Sequence, residues 1–326
     1  MNIGKLPESV LNRSVIKQLH TVRPEVTSGP GIGEDCATVA IAEDEEFVLS
    51  TDPITGTVSD IGRLAMTISI NDLASAGAEP VGVLLTVLLT PKMREAKLKH
   101  IMEQVDEACR AFNVQVIGGH TEVTEAVNQP LISVTAVGKV KKGQMISTGG
   151  AKPGMDLVLT KWIGLEGSSI IAKDHEEELL TRLPQSLIDS AKDFDQYLSV
   201  LPESRICVDH GVAAMHDVTE GGIFGALWEM GQASSVGLDV DIKDIPVRQE
   251  TIEICEFYGI NPYELISSGS MLIATNDGNG LVRKLDAAGV ASAIIGKTNS
   301  TNDRRILNGQ EERFLEPPKA DALYSI

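Results

Sequence analysis

Apolar residues recur along the chain in short continuous runs and in longer segments of helical period. Residues 81–89 form the longest apolar run, which is the pattern of a buried strand, and shorter runs at 47–50, 114–117 and 131–140 predict further strands. Residues 98–112 instead carry apolar side chains at the spacing of one helical face. This alternation of strand and helix predicts an α/β (α+β) chain.

A basic, glycine-rich passage at residues 139–154 interrupts the alternation, which resumes with a predicted strand at 156–160 and a predicted helix at 222–232. With 326 residues the chain is longer than one hydrophobic core usually supports. We therefore expect two domains, an N-terminal domain over residues 1–145 and a C-terminal α/β domain over residues 146–326.

The helix predicted over residues 59–78, with Ser59 as its expected N-cap, carries a carboxylate on its apolar stripe. The stripe comprises Ile61, Ala65, Ile68 and Asp72, and Asn71 lies beside it. Burying an ionised carboxylate costs several kcal/mol unless a cation or hydrogen-bond donors compensate. Asp35 and Asp52, at loop positions upstream, are candidates to share a metal ion with Asp72, and oxygen ligands of this kind suit magnesium.

Two glycine-rich motifs follow the pattern of phosphate-binding loops. Residues 29–35 contain Gly31 and Gly33, whose freedom to adopt positive φ leaves backbone N–H groups available as an anion cradle. Gly118 and Gly119 follow a buried strand, which is where α/β sheets place ligands. An ordinary turn explains each motif as well, so both interpretations stay open.

A third motif, residues 217–222, lies directly before a predicted helix. The free N–H groups at a helix N-terminus favour phosphate, which makes Thr219, Gly221 and Gly222 candidates to bind it. A simple N-cap by Thr219 is the alternative, and the two interpretations are compatible. Asp217 would repel a phosphate unless a metal ion lies between them.

The formal net charge is -18, the pI is near 4.7, and no block of Lys or Arg occurs. This charge argues against a surface for nucleic acid or anionic membranes. Any bound phosphate must therefore be neutralised locally by metal, backbone N–H groups or a few basic side chains. The four cysteines form no C-x-x-C pair and the N-terminus has no apolar signal core, which predicts a cytoplasmic protein.

The order of these motifs is more specific than any one of them. The ordered set is GEDCA at 33–37, STD at 50–52, NDLASAGAEP at 71–80, GGHT at 118–121 and HDVTEGG at 216–222. From about residue 27 to about residue 297 the chain resembles the AIR synthase-related superfamily, which includes aminoimidazole ribonucleotide (AIR) synthase, selenophosphate synthetase, thiamine-monophosphate kinase and the hydrogenase maturation protein HypE. It looks most similar to the HypE branch, through GINPY at 259–263 before Ser268 and Gly269.

The resemblance implies a two-domain AIR-synthase-like fold and a homodimer, in which the sheets of the N-terminal, ATP-binding domains join into a shared β-barrel. It also implies ATP and Mg²⁺ as cofactors and phosphorylation of an oxygen or related acceptor atom. By the same resemblance, magnesium would be held by Asp35, Asp52, Asp72 and Asp217. The nucleotide would be bound by Gly31, Gly33, Asn71, Gly118, Gly119, Thr121, Thr219, Gly221 and Gly222.

Four residues are candidates for catalysis, namely Asp72, Lys161, Glu166 and His216. Lys161 follows a predicted strand and can offset phosphate charge, although a solvated lysine at a strand end explains it as well. Glu166 and His216 are residue types that transfer protons. In phosphoryl transfer most of the catalysis comes from positioning and charge neutralisation, so Asp72 matters more than a dedicated base.

HypE proteins act on a cysteine at their extreme C-terminus, whereas this sequence ends in ALYSI at 322–326 and its last cysteine is Cys255. We expect Mg-ATP-dependent phosphoryl transfer to a small carbonyl, amide or carboxylate acceptor. One alternative is a non-catalytic nucleotide-binding partner of a maturation or biosynthetic complex. Another is a small-molecule kinase of the thiamine-monophosphate kinase type, although His120 stands where that pattern usually has aspartate.

Overall fold

The computed structural model describes residues 3–31, 36–54, 60–317 and 320–326. The chain divides into two compact units, each with its own sheet. The first unit comprises Met1–Ala74 and Ala78–Met145, and the second comprises Ser75–Gly77 and Ile146–Ile326.

The first unit combines a five-stranded sheet with helices. Its strands are β1 (Gly4–Lys5), β2 (Val26–Ser28), β3 (Thr38–Val39), β4 (Glu45–Ile54), β5 (Glu79–Leu89), β6 (Gln115–Val123) and β7 (Leu131–Lys141). Its helices are α1 (Glu8–Ser14), α2 (Ile61–Ser75) and α3 (Glu95–Phe112). The strand order is β1-β6-β5-β7-β4, in which β5 and β6 run parallel and the other neighbours antiparallel, while β2 and β3 form a separate pair.

Side chains of β5 alternate between the two faces of this sheet. Val83, Leu85 and Val87 are buried, whereas Leu84 and Thr86 between them are exposed. Because successive side chains of a strand point to opposite faces, this alternation gives the sheet one covered face and one open face.

The helix predicted from residue 98 onward is confirmed as α3, whose apolar face buries Leu98, Ile101 and Val105. By contrast, α2 is buried on nearly all sides, and among its own residues only Arg63 is exposed. This helix begins at Ile61, and the predicted N-cap lies outside the described residues.

Two strands extend further than the sequence predicts. The strand expected to end before Asp52 continues to Ile54, because β4 stays paired with β7 at every residue. The strand expected to end at residue 117 continues through Gly118 and Gly119 to Val123, because β5 pairs with it throughout. Asp52 and the glycine pair therefore lie inside strands and not in loops.

The second unit is built around a seven-stranded sheet. Its strands are β8 (Asp156–Thr160), β9 (Ala214–Asp217), β10 (Gly237–Asp241), β11 (Met271–Thr275), β12 (Ser292–Asn299), β13 (Arg304–Asn308) and β14 (Glu311–Phe314). Its helices are α4 (Leu165–Asp174), α5 (Glu176–Leu179), α6 (Gln185–Lys192), α7 (Leu201–His210), α8 (Gly222–Ser234), α9 (Gln249–Tyr258) and α10 (Gly278–Ala287).

The strand order of the second sheet is β14-β13-β10-β12-β8-β11-β9. Every residue of β11 is buried, so both faces of the sheet are covered at this strand. Apolar residues of α8, including Leu227 and Met230, join Leu157 and Leu272 of the sheet in one core. Across the described part of the chain, no helix is both long and apolar enough to cross a membrane.

Candidate functional site

A pocket of about 660 Å³ lies in the first unit and is lined by Gly31, Gly118, Gly119 and Thr121. These are four of the residues expected to bind the cofactor. Apolar side chains of α1, α3 and β5 form much of the remaining wall. The structure thus brings the start of the first glycine motif and the second motif together around one cavity, as one binding site would require.

Gly119 has a structural reason to be glycine. Its φ is 150°, and a Cβ atom there would lie 2.1 Å from the carbonyl oxygen of Leu85. The neighbouring pairing of β5 with β6 shifts register between Val83 and Leu84, so a bulge lies at the same point. The glycine pair therefore permits a close approach of two strands, which neither the turn nor the loop interpretation predicts.

Asp72 lies on the more open side of α2. It is half-buried, as is Ile68 one turn earlier, whereas Asn71 is only 1% exposed. The hydroxyl of Ser50 on β4 donates a hydrogen bond to the carboxylate of Asp72. The expectation that Asp72 belongs to the buried stripe is wrong, since the stripe continues through Asn71 and Asp72 lies at its edge.

Asp52 and Ser50 lie two residues apart on β4 and therefore on the same face of the strand. Their separation along the strand is about 6.7 Å, so both aspartates lie near Ser50. Asp35 and Gly33 are outside the described residues. Within the ranges that the structure describes, no three His, Cys, Asp or Glu residues lie close enough to form a metal cluster.

This donor set fits magnesium. Mg²⁺ is commonly bound through one or two carboxylates, and its other ligands are waters and substrate phosphate oxygens. Asp52 and Asp72 provide two carboxylates, and both are half-buried and hence accessible to a hydrated ion.

In the second unit, α8 begins at two glycines of left-handed conformation, Gly221 with φ of 81° and Gly222 with φ of 61°. A Cβ atom on Gly222 would lie 2.6 Å from the carbonyl oxygen of Tyr263. The N-cap is Gly221, and no side chain caps the helix. The alternative interpretation of Thr219 as the N-cap is wrong, because Gly221 holds that position and Thr219 accepts the Gly222 N–H through its backbone carbonyl, at 3.0 Å.

The N–H group of Gly221 donates to Asp321 Oδ2 at 2.7 Å. Asp321 is only 2% exposed, and its other oxygen, Oδ1, accepts from the Leu323 N–H at 2.9 Å. Burial raises the pKa of Asp321 against the opposing effect of these backbone hydrogen bonds. Sequence reasoning missed this residue, because an Asp in a polar tail carries no periodic signal that would indicate its burial.

His216 and Asp217 are consecutive residues of β9, so their side chains point to opposite faces of the sheet. His216 Nε2 lies 2.7 Å from Glu229 Oε2 on α8, and Nδ1 lies 3.3 Å from Thr148 Oγ1. Asp217 is 7% exposed. The His216 ring is thus held between Glu229 and Thr148, and its role in proton transfer stays a prediction.

Lys161 is buried, and not solvated as the alternative interpretation of the sequence expected. Its Nζ contacts the carbonyl oxygens of Tyr197 at 2.8 Å and Ser199 at 2.6 Å, and it lies 2.7 Å from Glu203 Oε1. Burial lowers the pKa of Lys161, and the ion pair with Glu203 opposes this effect. Since an ammonium group has three N–H donors, its contacts within the protein use all of them, and we assign Lys161 a structural role.

Glu166 lies in the first turn of α4 and is 2% exposed. Its Oε2 atom has no hydrogen-bond partner among the described residues. Burial raises the pKa of Glu166 to about 7, the neighbouring polar groups of Ser268 oppose this, and the nearby charge of Asp321 adds to it. A carboxyl group of this kind can accept and release a proton near neutral pH.

The sequence also matches known families and proteins. The models for the N-terminal and C-terminal domains of AIR synthase related proteins match residues 33–140 and 152–307. The carbamoyl dehydratase HypE of Cupriavidus necator is 30% identical over 284 residues, which cover 84% of this chain and 76% of that protein.

Solved structures share the fold. HypE in complex with ATP matches with a TM-score of 0.82 at 20% identity, covering 98% of this chain and 97% of that one. A chain of the HypE–HypF complex has a TM-score of 0.73 at 23% identity, covering 83% and 90%. Thiamine-monophosphate kinase from Stenotrophomonas maltophilia has a TM-score of 0.75 at 18% identity, covering 95% and 99%. These likenesses confirm the predicted two-domain α/β fold.

Proposed function

This chain is a HypE-like member of the AIR synthase-related family, and on that premise we propose that it binds Mg-ATP and transfers the γ-phosphoryl group to a small acceptor. The acceptor atom is a carbonyl, amide or carboxylate oxygen. A relative of this chain is a carbamoyl dehydratase, and one solved structure of the same fold holds ATP. Both support a reaction in which ATP activates an oxygen that is otherwise a poor leaving group.

The pocket of the first unit is the observation that carries the proposal. Gly118 and Gly119 contribute backbone without side chains at its wall, and Thr121 adds a hydroxyl group. Its volume of about 660 Å³ lies within the range of small-molecule and cofactor sites, which is roughly 300–1,000 Å³. We assign nucleotide binding to these residues together with Gly31 and Asn71.

In the first unit, Asp52 and Asp72 are the proposed magnesium ligands. Asp35, and Asp217 in the second unit, stay candidates to bind magnesium. When bound, magnesium neutralises charge on the phosphate oxygens. The chain itself has a net charge of -18, which makes that neutralisation necessary. Ser50 donates to Asp72 and so holds this carboxylate in one orientation.

The second unit supplies an anion position at the N-terminus of α8, where we assign phosphate binding to Thr219, Gly221 and Gly222. Glu166 is our candidate for proton transfer, because its carboxyl group is buried and titrates near neutral pH.

Three further statements belong to the same proposal: a homodimer, a protein partner and an alternative reaction. The open face of the first sheet supports a homodimer, since a monomer would leave Phe47 and Leu49 exposed to water. The HypE–HypF complex supports a maturation protein as a further partner. Thiamine-monophosphate kinase from Stenotrophomonas maltophilia shares the fold of this chain, which supports the alternative of a small-molecule kinase. Such a kinase would release a stable phosphorylated product.

Thermal unfolding with and without Mg-ATP tests the nucleotide site. At a ligand concentration ~100 times the dissociation constant, the wild type should gain about 2.7 kcal/mol, whereas Asp72→Asn should gain much less. Asp286→Asn, at an exposed position on α10, is the control and should respond like the wild type. A wild type that does not respond to Mg-ATP at any concentration would contradict the proposal.

ATP turnover then separates the catalytic alternatives. Steady release of ADP that Asp72→Asn abolishes supports an enzyme, and binding without any turnover supports a nucleotide-binding partner. A stable phosphorylated acceptor, detected by mass spectrometry, would identify a kinase.

A further inference from the structure

The pocket of the first unit contains few side chains that can meet a charged ligand. Among the described residues that line it, His120 is the one basic side chain and none is acidic, while apolar side chains form most of the wall. The chain has a net charge of -18, so a phosphate in this pocket depends on local hydrogen-bond donors. The backbone of Gly118 and Gly119 is one source of donors, and the imidazole ring of His120 is another.

A glutamate on the same strand holds the ring of His120. His120 and Glu122 lie two residues apart on β6, and therefore on one face of the strand. His120 Nε2 lies 3.1 Å from Glu122 Oε2, and the two side chains are 42% and 32% exposed. Since a carboxylate only accepts hydrogen bonds, Nε2 carries the proton of this contact. Glu122 thus determines which way the ring points and which of its nitrogens is used.

The second ring nitrogen of His120, Nδ1, is available to a ligand. β1 pairs with β6 at residues 122 and 123, just beyond His120, whereas residues 118–121 line the cavity. In the imidazolium form both ring nitrogens donate, so the ring can bridge the Glu122 carboxylate and a phosphate oxygen. Such charge-assisted hydrogen bonds are roughly twice as strong as those between neutral groups.

We propose that His120 binds a phosphate group of the nucleotide through Nδ1, and that Glu122 is the positioning residue that orients its ring. The inference rests on the proposed function, since the phosphate is one of those of ATP. Aspartate, which the thiamine-monophosphate kinase pattern usually has at this position, would meet a phosphate only through a metal ion. His120 meets it directly.

Calorimetry of ligand binding tests the contact. His120→Ala should raise the dissociation constant of Mg-ATP about tenfold and leave that of adenosine, which has no phosphate, unchanged. His120→Gln keeps one N–H donor and should lie between His120→Ala and the wild type. His175→Ala is the matched control, because His175 is 41% exposed and lies beside Glu178 in the second unit, and it should bind like the wild type.

A structural role of His120 would give different results. An equal loss for adenosine and Mg-ATP would show general damage to the pocket and would overturn the proposal. Light scattering should give His120→Ala the mass of the wild type. A changed mass would assign His120 to the interface between two copies of the chain, and would also overturn the proposal.

A double-mutant cycle tests the role of Glu122. In the wild-type background, Glu122→Ala should raise the dissociation constant of Mg-ATP about threefold, because the ring loses its orientation. In the His120→Ala background the same substitution should weaken binding no further. Losses that simply multiply would show that Glu122 acts independently of His120, and would overturn its positioning role.

Nuclear magnetic resonance of the imidazole nitrogens gives an independent measurement on the unmodified chain, which has six histidines. The signal that disappears in His120→Ala identifies His120. Saturating Mg-ATP should shift the Nδ1 resonance of His120 and leave that of His175 unmoved. An Nδ1 resonance that stays unmoved in the saturated protein would overturn the proposal.

The outcomes separate this inference from the proposed function. If Mg-ATP binds neither the wild type nor the His120 variants, the proposed function fails, and the phosphate contact fails with it. If Mg-ATP binds the wild type and His120→Ala with the same dissociation constant, only the role of His120 is overturned.

Discussion

Glu166 shows how burial can change the chemistry of a single residue. In water a glutamate is ionised above about pH 4.5. Burial raises the pKa of Glu166 to about 7, so its carboxyl group keeps a proton up to about that pH. The folded state therefore binds more protons than the unfolded state between these two values. The contribution of Glu166 to the free energy of unfolding should therefore be largest below pH 4.5. It should decline as the pH rises to about 7.

The decline between pH 5 and pH 8 should amount to roughly 2–3 kcal/mol, since one pKa unit corresponds to about 1.4 kcal/mol and a small part of the loss already falls below pH 5. Glu166→Gln removes the titration and should lose much less stability over the same interval, as urea unfolding at both pH values will measure. The carboxyls of Glu25 and Glu95, held at pKa values of about 2 by Arg23 and Arg13, stay ionised throughout and do not contribute. Equal losses in the wild type and Glu166→Gln would contradict this account.

Gly119 and Gly143 form a natural pair for separating close packing from backbone strain. Both have positive φ, but a Cβ atom on Gly119 would overlap the Leu85 carbonyl at 2.1 Å, whereas Gly143 has nothing within 4 Å. Gly143→Ala should therefore cost about 1 kcal/mol, from strain alone. Gly119→Ala should cost several kcal/mol more, because β5 and β6 must move apart. Chemical unfolding of the two variants measures the difference, and equal costs would show that φ alone explains the glycine.

At Gly118 and Gly119 the sequence indicated that glycine matters, but not that the reason is a close contact with β5. The motif around Gly118 was recognisable because it follows a buried run, yet its close contact with β5 depends on residues 30 or more positions away. Asp321 could not be found at all, since its partner, the Gly221 N–H, is 100 residues distant. Pairings between distant residues of this kind leave no local pattern.

Helices were more predictable than strand ends, and the reason is the range of the interactions involved. The face of α3 follows from a local period of 3.6 residues, so Leu98, Ile101 and Val105 were identified from spacing alone. The ends of β4 and β6 depend on how far neighbouring strands extend, which local sequence does not encode. The start of α8 was located correctly, but its cap proved to be a glycine.

One buried ion pair links β8 to α7. Lys161 follows β8 directly, and Glu203 lies in the first turn of α7, with Nζ and Oε1 2.7 Å apart. Thr160 adds a hydrogen bond to the same carboxylate oxygen at 3.2 Å. Removing one partner of such a pair leaves an uncompensated charge in the interior, which is far costlier than removing both.

Lys161→Met should therefore destabilise the protein by about 3–5 kcal/mol, and the double variant Lys161→Met with Glu203→Leu should recover a large part of that loss. The affinity of the folded single variant for Mg-ATP should stay unchanged, since we assign Lys161 no contact with phosphate. A loss of affinity with little loss of stability would return Lys161 to the phosphate-binding residues.

The fold of the whole molecule followed from the order of its motifs, because the spacing of several motifs over some 270 residues is far more specific than any one of them. What the motifs could not reveal is how much of each surface remains open. The second sheet is covered on both faces at β11, whereas the first sheet is open on one. In a chain with a net charge of -18, an apolar open face calls for an explanation.

The residues of that face lie on edge strand β4, where Phe47 is 45% and Leu49 is 64% exposed, and on β5, where Leu84 is 38% exposed. An exposed apolar patch on a sheet marks an interaction surface, and an unprotected edge strand favours pairing with another chain. A second copy of the same chain would cover both the face and the edge, which supports the proposed homodimer.

Leu49→Glu should therefore shift the protein from dimer to monomer, because it places a charge inside the interface, whereas Leu180→Glu, at a 44% exposed position in the second unit, should leave the dimer intact. Light scattering coupled to gel filtration measures both masses against the 34.9 kDa chain. A monomeric wild type, or a Leu49→Glu variant that remains dimeric, would show that the open face has another occupant. Because the pocket containing Gly118 and Thr121 opens within the same unit, comparing Mg-ATP affinity in the monomeric variant and the wild type would then tell whether nucleotide binding depends on the dimer.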